Sequence, residues 1–172
     1  TAAIESAAAM SYWFPTLNDG SETTRLAGQR VTWQFFDVLG VKPILGRGFT
    51  ADEDRQGANR VIVMGHNTWA SRFGSDSSIV GRNITVNGVA YLVAGVLPAT
   101  FESLFAPGTE LWAPLGYDAS LPYACRTCRH LRVVARLKSD VSLSEASQRL
   151  TVAHQRLREQ FPNEYAGPGT AL

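Results

Sequence analysis

A chain of 172 residues, 45% hydrophobic and 18% charged, has enough apolar content to bury a core and too much to be read as disordered. Sixteen basic against fifteen acidic residues leave a formal charge of +1, which excludes a whole-molecule field that would draw in nucleic acid. No apolar run approaches the roughly 18 residues of a membrane helix. The start at Thr1, with neither methionine nor signal segment, reads as a soluble piece cut from a larger protein.

In chain order, SAAAMSYWF and RLAGQRVTW come first, separated by the turn-forming NDGSE of residues 18–22. The aromatic run Tyr12, Trp13, Phe14 before Pro15 predicts strand there, against the helical preference of the alanines. TWQFFDVLG predicts a short helix capped by Thr32, buried through Phe35, Phe36 and Leu39, and closed by a left-handed Gly40. VKPILGRGF reads as an extended connection, because Pro43 keeps Lys42 out of helical angles. RVIVMG, residues 60–65, has the β-branched run of a buried strand, and HNTWASRFG behind it places Trp69 and Phe73 on one helical face ahead of Gly74.

In NITVNGVAYLVAGV, Asn87 and Gly88 supply the positive φ angles of a type I′ turn. That turn sets Val86 opposite Val89 and Ile84 opposite Tyr91. ELWAPL, residues 110–115, is a further short strand. Alternation in HLRVVARLK predicts a strand with Leu131, Val133, Ala135 and Leu137 inward and Arg132, Val134, Arg136 and Lys138 wet. SLSEASQRLTVAHQRLREQF is the longest helix, with a capping box of Ser142 and Glu145, an apolar stripe of Leu143, Ala146, Leu150, Ala153, Leu157 and Phe161, and a stop at Pro162. The fold class is α+β, with short strands and three helices of unequal length.

Three motifs invite a chemical reading. FTADEDRQG, residues 49–57, lines up Asp52, Glu53 and Asp54, but a calcium loop begun at Asp52 has Val63 where its bidentate glutamate belongs. Thr50 and Glu53 instead fit a second capping box, with the carboxylates in a first helical turn. Cys125 and Cys128 in ACRTCRH fail as a haem site, because Arg129 stands where the histidine is needed and His130 follows one place late. Structural zinc lacks a fourth ligand, since His66 and His154 lie far off in sequence, and a redox pair should open a helix behind a core strand. A local disulfide and two free thiols both remain open. The arginines Arg126, Arg129, Arg132 and Arg136 read as the solvated face of one strand and its approach rather than as a phosphate site. No G-x-S-x-G elbow or phosphate loop occurs, and the isolated histidines read as surface residues, so no catalytic, cofactor-binding or metal residue is assigned.

Four blocks in fixed order, VTWQFFDVLGVKPILGRGFTADED, RVIVMGHNTWASRFGSDSSIVGRNITVNGVAYLVAGVLPATF, ELWAPL and HLRVVARLKSDVSLSEASQRL, resemble the MacB-type periplasmic core domain, and within it the duplicated permeases common in acidobacteria. The resemblance spans about residues 5–165. It implies a porter-like α/β sandwich subdomain, residues 1–58 and 119–172, with an inserted smaller β-rich subdomain, residues 59–118, that contains the tight hairpin. It further implies a non-catalytic extracytoplasmic domain of an ABC transporter permease, on the periplasmic face of the bacterial inner membrane. Such a domain would pass conformational change from the membrane helices to substrate or adaptor. The implied partners are its own transmembrane helices, a second permease copy in the parent protein, an ATPase subunit and a periplasmic adaptor, with no cofactor and no nucleic acid. In that oxidising compartment the Cys125–Cys128 disulfide is favoured over free thiols. The competing expectation is a free-standing secreted binding module, with a pocket lined by the rings of Tyr12 to Phe14 and Tyr117 to Tyr123.

Overall fold

The structure is a computed structural model that describes residues 3–18, 22–58, 60–103, 105–120, 124 and 128–165. Its strands are β1 (Ile4–Trp13), β2 (Thr16–Asn18), β3 (Thr23–Arg25), β4 (Gly28–Val31), β5 (Leu45–Gly46), β6 (Val61–Met64), β7 (Asn83–Val86), β8 (Val89–Val96), β9 (Leu111–Pro114) and β10 (Arg132–Leu137). The helices are α1 (Phe35–Leu39), α2 (His66–Phe73) and α3 (Leu143–Gln160). All ten strands join one mixed sheet in the order β10-β1-β4-β9-β6-β8-β7-β2-β3, with β5 added beside β8. The pairs β4–β9 and β6–β8 are parallel.

The interior strands carry apolar residues on both faces, as a sheet covered on two sides requires. All four residues of β6 are buried. Val61 and Val63 join Phe35, Phe36, Phe49, Leu97 and Trp112 in the core under α1. Ile62 and Met64 join Leu17, Ile79, Val86, Tyr91 and Val93 on the opposite face, against which Trp69 and Phe73 of α2 pack. At the centre of the first core, Phe36 meets Trp112 edge-on at 6.1 Å, and Phe101 lies 5.7 Å from the same indole.

Two polar side chains, Gln29 and Ser103, meet inside this apolar volume. Gln29 of β4 is fully buried. Its Oε1 accepts from Trp112 Nε1 at 2.8 Å and from Ser103 Oγ at 2.9 Å, while its Nε2 donates to Met10 Sδ at 3.4 Å. Gln29 and Trp112 are register partners across the parallel β4–β9 pair, and Met10 lies on β1, the antiparallel neighbour of β4. Three strands and the segment before β9 therefore meet at one amide.

The hairpin forms with the expected register, Val86 against Val89 and Ile84 against Tyr91, and Asn87 and Gly88 have φ of 51° and 74°. Gly40 and Gly74 close α1 and α2 in left-handed conformations. Two expectations are corrected. The N-cap of α1 is Gln34, not Thr32, whose hydroxyl instead accepts from the Ala9 amide and ties the chain to β1. In β10 it is Val134 that packs on the core under α1, whereas Val133 is 63% exposed. The ladder explains the inversion. Val134 pairs with Ala8, which β1 buries on the α1 side, so the partner's register chose the face over the hydrophobic pattern of β10 itself. The stripe of α3 is likewise only half covered: Ala146 is buried, but Leu143 is 69% exposed.

Close packing between β5 and β8 allows a direct test. Gly46 has φ of +67°, and a Cβ there would run into the Ala94 carbonyl oxygen, whereas Gly88, at +74°, faces open space. Gly46→Ala is expected to lose more than about 2 kcal/mol and Gly88→Ala about 1 kcal/mol or less in chemical denaturation. Equal losses would contradict the packing described.

Candidate functional site

The acidic run does not start a helix. Residues 51–54 form successive turns held by amide-to-carbonyl bonds three residues back, Glu53 to Thr50 and Asp54 to Ala51, and the series ends near Gly57 at φ +80°. Half of the expected capping box forms, since Glu53 Oε2 accepts from the Thr50 amide at 2.9 Å. The Glu53 and Asp54 carboxylates are engaged by groups outside the run. Asp54 Oδ2 accepts from the Trp33 amide at 3.0 Å, and its Oδ1 accepts from the Gly116 amide at 2.8 Å. One half-buried carboxylate thus clasps the turn before α1 to the segment leaving β9.

Its neighbours strengthen the clasp. Both Glu53 oxygens accept from Arg47, at 2.6 and 2.9 Å. The hydrogen bond from Arg47 is the largest cause that holds the Glu53 carboxyl below its ordinary 4.5, the opposite of the raised value a general acid needs. Asp118, two residues beyond Gly116, accepts from Gln56 and from the amide and hydroxyl of Ser120, and those Ser120 bonds lower its pKa. Asp52 pairs with Arg55 in solvent. Among the described residues, no three His, Cys, Asp or Glu side chains converge as a metal site.

Around the clasp the rings of Trp33 and Tyr117 are 40% and 39% exposed. Tyr117 stacks on His130 at 5.8 Å and 10°, close to Cys128 in the chain. Cys125 lies outside the described residues, as do Arg126 and Tyr123. The arginine series divides: Arg129 and Arg132 are exposed, whereas Arg136 Nη2 donates to the Val38 carbonyl at 2.7 Å, at the C-terminal end of α1 where a cation is favoured. Tyr12 and Phe14 are exposed, and Trp13 packs against the core under the guanidinium of Arg30. These rings do not line the cleft between α2 and β9, whose aromatic walls are Phe101 and Trp112. The histidines are not all superficial, for both ring nitrogens of His154 are buried without a hydrogen-bond partner, beside Tyr165.

The Asp54 clasp joins positions 21 and 62 residues apart, a separation that no local motif signals. Asp54→Ala is expected to cost about 1–3 kcal/mol and to speed amide exchange at Trp33 and Gly116 ahead of the rest of the sheet. Unchanged exchange there would show that the clasp restrains nothing. The lowered Glu53 carboxyl contributes stability that is present above its unfolded pKa and lost as pH falls through the lower folded value. Glu53→Gln should therefore remove part of the acid limb of the stability profile below pH 4.5. The loss near neutrality should reach at most about 1 kcal/mol, because Arg47 is half-exposed. An unaltered acid limb in a pH series of denaturation curves would refute this.

A family profile described as MacB-like periplasmic core domain matches residues 1–153. The fold is similar to the periplasmic region of MacB from Actinobacillus actinomycetemcomitans, with a TM-score of 0.68 and 16% identity over 95% of this chain and 71% of that one. It is also similar to the extracellular domain of the noncanonic ABC-type transporter YknZ from Gram-positive bacteria, with a TM-score of 0.60 and 18% identity over 89% of this chain and 78% of that one. A permease-protein domain from Porphyromonas gingivalis gives a TM-score of 0.62 and 16% identity over 94% of this chain and 69% of that one. No curated protein matches.

Proposed function

The chain belongs to the family of MacB-like periplasmic core domains of ABC transporter permeases, and from that membership we propose that it is a non-catalytic coupling element that passes movement of the membrane helices to a substrate or an adaptor. The observation that carries this reading is the unbroken sheet from β10 to β3, pinned at its middle by the buried Gln29 amide. Force transmission needs packed elements that move as one body rather than reactive groups. Support for a non-catalytic role comes from the Glu53 carboxyl, held ionised by Arg47, and from the use of Asp54 as a clasp. Among the described residues no helix is long and apolar enough to cross a membrane. The membrane helices, a second permease copy, an ATPase and an adaptor are proposed as partners within the parent protein.

The division into residues 1–58 with 119–172 and residues 59–118 belongs to the same proposal. Strands β6 to β9 come from the inserted span and lie together, but β2 and β5 of the first span pair with β7 and β8, and β3 pairs with β2. The mechanical boundary is thus proposed at the β4–β9 seam rather than at a point in the sequence. A Cys125–Cys128 disulfide is proposed as a local shaping element, supported by the finding that among the described residues no cysteine is free.

The reading frame around this segment should encode apolar spans of about 20 residues on both sides, and a frame lacking them would refute the assignment. In the complete permease, Gln29→Ala should leave ATP hydrolysis running while transport falls at least about tenfold, because the seam is loosened; Ser103→Ala, which removes one bond, should fall between. Full transport in a variant whose sheet is shown to be loosened would contradict the coupling role.

A further inference from the structure

Between the start of α2, the turn after β8 and the approach to β9 lies a cleft of about 160 Å³, with Gly65, Asn67, Thr68, Phe101, Glu110 and Trp112 in its walls. That is several water volumes, yet below the roughly 300 Å³ at which drug-sized pockets begin. Two features of different origin point to a ligand. The first is the start of α2, whose N-cap is Gly65 and which receives no side-chain cap. Its opening amides have no intrahelical acceptor, and the positive end of the helix dipole lies at the cleft. The second is Thr68, which is 3% exposed and lines the same cleft. Among the described residues its hydroxyl has no hydrogen-bond partner, and it is not among the fully occluded unpaired atoms, so it opens into the cleft.

The opposite pole is negative. Glu110, one residue before β9, lines the cleft with Trp112. Glu110 Oε2 accepts from the Ala27 amide at 3.0 Å, which leaves Oε1 for a second donor. The carbonyls of Thr109 and Glu110 lie beside Gly65. A simple anion would suit the amides but be repelled by Glu110, and a simple amine would suit Glu110 but meet the wrong end of the dipole. Both poles fall within one small cleft, so a fitting ligand carries its two charges only a bond or two apart.

We propose that this cleft binds a small zwitterion of the α-amino-acid type. Its carboxylate accepts from the opening amides of α2 and from the Thr68 hydroxyl, its ammonium donates to Glu110, and Phe101 and Trp112 supply the apolar wall. The site is independent of the coupling role and can fail without it.

The test follows the Asn67 and Thr68 amide resonances of the 172-residue chain during titration with glycine or alanine, and separately with acetate and with methylammonium. The amino acids should give saturable shifts in the millimolar range, at least about fivefold tighter than either half-ligand. Thr68→Val should weaken glycine and acetate alike. Glu110→Gln keeps an oxygen for the Ala27 amide, and should weaken glycine about fivefold while leaving acetate equal or tighter. An absence of saturable shifts with glycine, an equal response to glycine and acetate, or unchanged glycine affinity in Glu110→Gln would overturn the proposal.

Discussion

The side-chain oxygen of Gln29 takes two hydrogen bonds in the dry centre of the sheet, from the Trp112 indole and the Ser103 hydroxyl, and much of the architecture depends on that shared acceptor. A buried amide left unpaired would cost about 1–3 kcal/mol, so β4, β9 and the segment carrying Ser103 hold their relative positions or leave it unsatisfied. The seam it pins is a parallel strand pair, the place where a β10-β1-β4 half meets a β9-β6-β8-β7 half. Apolar packing alone tolerates small slips. A hydrogen-bonded polar group inside it selects one register.

The Asp54 clasp extends the same logic to the surface. Beyond the ends of β4 and β9 the chain turns away, and loose turns there would let the two halves shear at the edge of the seam. A single carboxylate accepting from Trp33 and Gly116 closes that end, and the Arg47–Glu53 pair steadies the loop that carries it. Carboxylates that look reactive in sequence are thereby used as fixed acceptors. The charge of Glu53 is held on by the hydrogen bond from Arg47, not tuned for proton transfer.

Local chemistry was legible where a short stretch decides its own geometry. Asn87 and Gly88 dictate a two-residue turn, and the hairpin register follows from it; Gly40 and Gly74 end their helices for the same reason. The all-apolar β6 was legible as an interior strand. What could not be read were decisions made by a distant partner. Val134 faces the core because β1 sets its register, Thr32 serves the Ala9 amide rather than α1, and Asp54 is recruited by backbone groups far off in sequence. Gln29 stands between Gly28 and Arg30, and nothing near it in sequence announces Trp112 or Ser103. The four ordered blocks led to the family even so, because block order and spacing record the whole fold, whereas single residues record only their surroundings.

The proposed coupling role requires that the two halves of the domain open together or not at all. Native-state amide hydrogen exchange at the strands on either side of the seam tests that most directly, with Ala8 and Val31 reporting one half and Ile62 and Val93 the other. A single opening free energy shared by all four amides and equal to that of global unfolding is expected. A β6–β8 half that exchanges through its own, cheaper opening while β1 and β4 stay protected would contradict it.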